Sequence, residues 1–125
     1  MKNNFSIILA NTYRSKIYLE YFLKSKFRPS EIIFLDNGKK NVLNKLFKNI
    51  NKKIKRFNHT LIDNENTINY ILNSKNLYFV YSGYPGYVIK NINILSKKKI
   101  LHAHPGRLPE YKGSTTIFYS ILNLN

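Results

Sequence analysis

Residues 5–10 read Phe-Ser-Ile-Ile-Leu-Ala, a short continuous apolar run of the kind expected for a buried strand. The segment that opens with Arg14, Ser15 and Lys16 then places apolar side chains at helical spacing. These side chains are Ile17, Tyr18, Tyr21, Phe22 and Leu23. The stretch therefore predicts a strand, a turn and a helix, which is the repeating unit of α/β proteins.

The same alternation of strand and helix continues along the chain. We expect further strands at residues 31–36, 55–60, 77–81 and 99–103, of which the one at 55–60 is weak. One helix is predicted at residues 42–54, and a second begins after a cap at Asp63 or Asn64. A short helical turn is predicted at residues 88–95, and a last helix begins at Ser114. Such alternation requires right-handed crossovers. The predicted fold is a single α/β domain, residues 1–125, with a Rossmann-like, mostly parallel sheet and helices on both faces.

Composition narrows the class of protein. The chain has 125 residues, 43% of them hydrophobic, which suits one compact domain with a core. It contains no Cys, so disulfides and thiolate metal sites are excluded. No apolar run approaches the length of a bilayer crossing, and the run at residues 5–10 is not followed by a cleavage site. We therefore expect a soluble, cytoplasmic protein with no membrane partner.

The formal net charge of +15 would ordinarily favour a nucleic-acid or anionic-membrane partner. The cations are nearly all lysines scattered along the chain, whereas Arg is the residue that grips phosphate in a bidentate way. The arginines are Arg14, Arg28, Arg56 and Arg107. These features weaken the case for a nucleic-acid partner. A basic nucleic-acid binder nevertheless stays open as a third class of function, and it predicts an affinity that falls steeply with salt.

Ligands of parallel α/β sheets bind outside the carboxyl ends of the strands, where the loops at residues 11–15, 82–86 and 102–113 should converge. The first loop lacks a Gly-x-Gly-x-x-Gly fingerprint, so ordinary dinucleotide or ATP binding is not expected. Arg14 and Ser15 lie at a predicted helix amino terminus, which favours an anion such as phosphate. In the alternative interpretation, Ser15 only caps the helix and Arg14 is solvated.

The third loop begins with two histidines on one face of a strand, since side chains alternate along a strand. Pro105 and Pro109 stiffen the loop that follows His102 and His104. Chemistry is therefore expected here, and the alternative is an ordinary strand exit with two partly exposed histidines. A zinc site made of these histidines and His59 is not expected, because no recognisable ligand spacing joins them, and we predict no metal.

Residues 104–116 read His-Pro-Gly-Arg-Leu-Pro-Glu-Tyr-Lys-Gly-Ser-Thr-Thr. This run resembles the signature of folate-dependent formyltransferases, whose fifth-strand motif reads Asn-x-His-Pro-x-x-Leu-Pro-x-aromatic-basic-Gly. Residues 82–89, Ser-Gly-Tyr-Pro-Gly-Tyr-Val-Ile, look like the loop after the fourth strand of that family. The resemblance is strong from Tyr81 to Leu122 and rests on architecture alone before that.

The resemblance implies transfer of a formyl group from 10-formyltetrahydrofolate to an acceptor amine. The acceptor would be a nucleotide-linked amino sugar or methionyl-tRNA. The run Ser114-Thr115-Thr116 looks more like the relatives that act on amino sugars. His104 matches the catalytic histidine of the family, and His102 would assist it. Arg14 and Ser15 would contact the acceptor. The folate contacts would come from Gly83, Tyr84, Pro85, Gly86, Leu108 and Pro109.

This chain departs from the family pattern at two points. His102 stands where the motif has Asn, and an imidazole donates from only one nitrogen unless protonated. The Asp-x-Gly segment that carries the family's catalytic Asp lies beyond the position where this chain ends, at Asn125. We therefore expect an amino-terminal catalytic domain of formyltransferase type, truncated at its carboxyl terminus and weakly active. The alternative is a folate or nucleotide-sugar binding module, or half of a split enzyme, as a homodimer or with a complementing second chain.

Overall fold

Five parallel strands alternate with four helices in the structure, a computed structural model that describes residues 4–87 and 89–102. The strands are β1 Phe5–Ala10, β2 Glu31–Leu35, β3 Ile54–Phe57, β4 Tyr78–Ser82 and β5 Lys99–His102. The helices are α1 Tyr13–Lys24, α2 Asn44–Lys48, α3 Glu65–Asn73 and α4 Ile92–Lys97. The predicted α/β alternation is confirmed over this part of the chain.

The strand order in the sheet is β3-β2-β1-β4-β5, and every neighbouring pair is parallel. The chain thus builds one side of the sheet from β1 to β3 and then returns to the other side of β1 for β4 and β5. In the central register, Ile8 of β1 pairs with Ile33 of β2 and Tyr81 of β4. The order reverses between β1 and β4, which is the position where open α/β sheets form a crevice at their carboxyl ends.

Two apolar layers cover the two faces of the sheet, because strand side chains alternate between faces. Strand residues such as Ile7 and Phe34 pack in one layer with α1, whose Leu19 is fully buried, and with the partly buried Phe47 of α2. The opposite layer contains Ile8, Ile33, Leu35, Phe57, Phe79 and Tyr81 from the strands, with Ile71 of α3 and Ile94 of α4. The helices therefore lie on both faces, as the sequence predicted.

The helix predicted over residues 42–54 is much shorter in the structure, where α2 covers only Asn44–Lys48. Its start is displaced because two side-chain oxygens take the backbone N–H groups of the preceding residues. The N–H of Val42 donates to Asn11 Oδ1 at 2.9 Å, and the N–H of Leu43 donates to Asn41 Oδ1 at 2.8 Å. Asn side chains compete with helical hydrogen bonding in this way.

The helical turn predicted at residues 88–95 lies further along, at Ile92–Lys97. The carboxylate of Asp63 accepts the N–H groups of Lys90 and Asn91 at 2.9 and 3.0 Å, which holds that segment outside the helix. Asn91 then caps α4 by accepting the N–H of Ile94 at 3.0 Å. Asn64, one of the two predicted residues, caps α3. The helix predicted from Ser114 lies outside the described residues.

A carboxylate holds the amino-end edge of the sheet to α3. Glu31 accepts hydrogen bonds from the hydroxyls of Ser6 at 2.5 Å, Tyr70 at 2.8 Å and Ser74 at 3.0 Å. These contacts join β1, β2 and the end of α3. Burial, reinforced by the hydrogen bond to Glu31 and its charge, raises the pKa of Tyr70 to about 12.

Replacing Glu31 by Ala should lower the free energy of unfolding by about 1–3 kcal/mol, because three part-buried hydroxyls lose a charged acceptor. Urea denaturation of the full chain measures this change. Glu20→Ala on α1 is the matched control and should shift the midpoint much less. Equal shifts for the two variants would contradict the role assigned to Glu31.

Candidate functional site

The buried side chain of Asn11, at the end of β1, organises the loops at the carboxyl edge of the sheet. Its amide nitrogen donates to Asn37 Oδ1 and to the carbonyl of Lys40, both at 2.9 Å, and more weakly to the carbonyl of Lys39 at 3.3 Å. Its amide oxygen accepts the N–H of Val42 at 2.9 Å. Asn11 therefore fixes the loop after β2, a role that sequence reasoning missed.

Tyr84, in the loop after β4, reaches across the carboxyl ends of β1 and β2. Its hydroxyl donates to the carbonyl of Leu35 at 2.5 Å and accepts the N–H of Asn11 at 3.0 Å. Burial raises the pKa of Tyr84, so the hydroxyl stays protonated and able to donate at neutral pH. The side chain of Tyr84, one of the predicted folate contacts, thus spans the crevice at the switch point, and its hydroxyl is used within the protein.

Ser15, in the first turn of α1, joins the carboxyl ends of β1 and β4. Thr12, not Ser15, caps α1, since the Thr12 hydroxyl accepts the N–H of Ser15 at 3.1 Å, and the capping interpretation of Ser15 is therefore wrong. The Ser15 hydroxyl is fully buried, lies 2.8 Å from Ser82 Oγ and accepts the N–H of Ala10 at 3.2 Å. This geometry does not favour the direct acceptor contact predicted for Ser15. Arg14 beside it is exposed.

An apolar cleft of about 300 Å³ opens between β4, α4 and β5. It is lined by Tyr81, Tyr87, Ile89, Leu95, Ile100 and His102, and we call it the β4–β5 cleft. His102 pairs in register with Tyr81, and their rings lie 5.8 Å apart at an angle of 45°. The imidazole of His102 is exposed at the rim. The cleft combines apolar walls with one imidazole, at the strand end where the histidine motif begins.

Tyr81 places a hydroxyl in the interior beside this cleft. The residue is 1% exposed, and within residues 4–87 and 89–102 its hydroxyl has no hydrogen-bond partner. Burial raises the pKa of Tyr81 to about 12, with smaller contributions from Asp63 and Tyr87. Gly83 is required next to it, because a Cβ at residue 83 would collide with the Tyr81 hydroxyl. The Tyr81 hydroxyl is therefore a protonated donor held against a glycine backbone.

The other predicted site residues are distributed around these features. Pro85 and Gly86 are exposed in the turn after β4, where Gly86 has a φ of +86° that favours glycine. His104, Leu108 and Pro109 lie outside the described residues. His59 follows β3 and His102 ends β5, so the two lie at opposite edges of the sheet, about 19 Å apart at the usual strand spacing. In the described ranges, no group of three or more His, Cys, Asp or Glu residues could hold a metal ion.

A second histidine environment surrounds His59, which sequence reasoning considered only as a zinc ligand and set aside. Its Nε2 lies 2.5 Å from the hydroxyl of the fully buried Thr67, and its ring packs against Phe57 with centroids 5.4 Å apart. Burial lowers the pKa of His59 from its ordinary value, so the imidazole is neutral at pH 7. Lone polar residues after a weak strand carry no spacing signal that would have identified this position.

Comparison of the chain with protein-family models, with curated proteins and with solved structures gave no match. None of the helices in the described part of the chain is both long and apolar enough to cross a membrane.

Replacing Tyr84 by Phe should lower the free energy of unfolding by about 1–3 kcal/mol, since the Asn11 N–H and the Leu35 carbonyl each lose a partner. Hydrogen exchange should accelerate at the N–H of Asn11. Tyr87→Phe is the control, because the Tyr87 hydroxyl makes only a 3.4 Å contact with Thr60. Unchanged hydrogen exchange at the N–H of Asn11 in Tyr84→Phe would contradict the hydrogen bond between Asn11 and the Tyr84 hydroxyl.

The stability of the chain should fall as the pH drops below the ordinary His pKa of about 6.5. The unfolded state then binds the His59 proton first, because the folded-state pKa of His59 is lower. This loss ends once the pH is below the folded-state value. Urea midpoints from pH 7.5 to pH 5 should decline less steeply in His59→Gln than in the parent chain, and parallel declines would contradict the prediction.

Proposed function

We propose that this α/β protein is formyltransferase-like and acts on 10-formyltetrahydrofolate and an acceptor amine. The observation that carries the proposal is the β4–β5 cleft, which lies directly beside the start of the histidine motif. His102 forms its rim, and His104 follows two residues later in the motif that resembles the family signature. The acceptor is a nucleotide-linked amino sugar or methionyl-tRNA, of which the motif resemblance favours the first.

The chemistry of the cleft suits a flat heterocycle with polar edges, such as a pterin. Ile89, Leu95 and Ile100 offer apolar walls. Tyr81 offers a protonated hydroxyl beside them that lacks a partner among the residues the structure describes. Glycine at residue 83 leaves the backbone close to the Tyr81 hydroxyl, where N–H and C=O groups can contact a polar edge. A cleft of about 300 Å³ is at the lower end of the usual range for small-molecule sites.

The folate supplies a formyl group on a nitrogen that can leave. In this proposal, His102 donates an N–H to the oxygen on which negative charge develops as the amine attacks the formyl carbon. His104 moves the proton from the attacking amine to the departing nitrogen, so that the new amide forms as the old carbon–nitrogen bond breaks. Arg14, exposed at the amino end of α1, is available to a phosphate of the acceptor.

A folate-binding module without turnover is the second candidate function. The described part of the chain already supplies six lining residues of the β4–β5 cleft, from β4, the segment after it, α4 and β5. Five of these residues have no part in the proposed transfer, so folate binding can take place without His104, which would move the proton. The two candidates predict the same affinity for folate and differ in transfer.

Two substitutions on the same helix test the folate site. Leu95→Glu places a charge in the cleft and should weaken binding of 5-formyltetrahydrofolate, a stable analogue of the donor, by at least about tenfold, or 1.4 kcal/mol. Ile92 of α4 is 76% exposed and does not line the cleft, so Ile92→Glu should leave binding unchanged. Isothermal titration calorimetry measures both variants, with circular dichroism as the check on folding.

Transfer is tested separately with 10-formyltetrahydrofolate and an amino-sugar nucleotide, by mass spectrometry of the product. The parent chain should formylate the amine, and His104→Ala should lose transfer while it keeps folate affinity. Folate binding without transfer in the parent chain would favour the binding module. Absence of folate binding, or equal binding in the two α4 variants, would overturn both candidates.

A further inference from the structure

A second cleft, of about 440 Å³, lies at the carboxyl ends of β2 and β3. It is lined by Asp36, Asn37, Gly38, Asn58, His59, Thr60, Leu61 and Asn64, and we call it the β2–β3 cleft. It is separated from the β4–β5 cleft by roughly 14 Å, or three strand spacings. Leu61 is its one aliphatic lining residue. The lining is therefore more polar than that of the first cleft.

Asp36 presents an acceptor to this cleft from a fixed position. Its Oδ1 accepts the N–H of Gly38 at 2.8 Å, in a turn where Gly38 has a φ of +79°. Its Oδ2 makes a long ion pair with Arg56 Nε at 3.9 Å, which leaves that oxygen able to accept a shorter hydrogen bond. The neighbouring turn is fixed in addition by Asn11, through Asn37. The carboxylate is therefore oriented before any ligand arrives.

His59 presents a neutral imidazole to the same cleft. The contact of Nε2 with the buried Thr67 fixes the ring and uses one nitrogen, so Nδ1 is the nitrogen left for a ligand. A carboxylate that accepts and a neutral ring that accepts or donates match the adjacent hydroxyls of a sugar. In Rossmann-type sheets, an acidic residue directly after the second strand also accepts hydrogen bonds from ribose hydroxyls.

The rim of the cleft is positively charged. Lys39 and Lys40 are exposed directly after the lining residue Gly38, and Arg56 is half exposed next to Asp36. An anionic group on the ligand is favoured at these cations, whereas a free anion within the cleft is disfavoured by the Asp36 charge. The two requirements together describe a sugar that carries a phosphate.

We propose that the β2–β3 cleft binds a phosphorylated sugar with vicinal hydroxyls, which contact Asp36 and His59 while the phosphate lies toward Lys39 and Lys40. This site does not depend on the proposed formyl transfer, since it shares no lining residue with the β4–β5 cleft. It supplies a specific place for a sugar phosphate on a protein whose surface charge alone would attract many anions.

The test uses the full chain and ribose 5-phosphate as the probe, with affinity measured by isothermal titration calorimetry at fixed salt. Asp36→Asn keeps the acceptor for Gly38, and His59→Gln keeps a polar side chain. Each should weaken binding about tenfold or more, which is the loss expected when a hydrogen bond to a charged or fixed group is removed. Glu65→Gln, an exposed carboxylate change on nearby α3, should alter affinity less than about twofold, as surface charges in water interact weakly.

Two further ligands separate sugar recognition from simple attraction to phosphate. We expect 2-deoxyribose 5-phosphate, which lacks one of the vicinal hydroxyls, to bind about tenfold more weakly than ribose 5-phosphate. Inorganic phosphate should bind weakest. The proposal is overturned if ribose 5-phosphate does not bind, if inorganic phosphate binds as tightly, or if neither Asp36→Asn nor His59→Gln weakens binding while circular dichroism shows both folded.

Discussion

The buried amide of Asn11 at the end of the central strand is the contact on which the carboxyl edge of the sheet depends. It lies on β1, between the two halves of the sheet, and its donors and acceptor are used by the loop after β2. Its backbone N–H is used by Tyr84 from the loop after β4. One residue thus ties three strand ends together, and a buried amide of this kind is costly to leave unpaired.

This tie shapes the carboxyl edge of the sheet. Open α/β sheets usually offer the crevice at the switch point, here between β1 and β4. Tyr84 spans that crevice with its own side chain, and Ser15 is buried beneath it against Ser82. Among the described residues, one cleft lies on either side of the tie. The cleft toward β5 is lined mainly by aromatic and aliphatic side chains with one imidazole, whereas the cleft toward β3 combines an imidazole with a carboxylate and amides.

The order of strands and helices could be predicted from the sequence because the three central strands, β1, β2 and β4, are local apolar runs buried on both faces. The starts of α2 and α4 could not, because side chains distant in sequence set them. Asn11 accepts an N–H 31 residues away, and Asp63 accepts two N–H groups 27 and 28 residues away. For the same reason, sequence reasoning predicted Tyr84 as a site residue but not its hydrogen bond to Leu35, which is 49 residues away in the sequence.

The pairing of Tyr81 with His102 shows how the fold brings together residues that are distant in sequence. Neither residue is informative alone, but parallel pairing of β4 with β5 brings their rings to 5.8 Å. The Tyr81 hydroxyl is buried and has no partner in the described part of the chain, and a buried hydroxyl left without a partner costs about 1–3 kcal/mol. In the proposed folate site, a ligand whose polar edge reached this hydroxyl would offset that cost. On that proposal the hydroxyl, rather than the apolar walls, would favour such a ligand over an apolar one of the same shape.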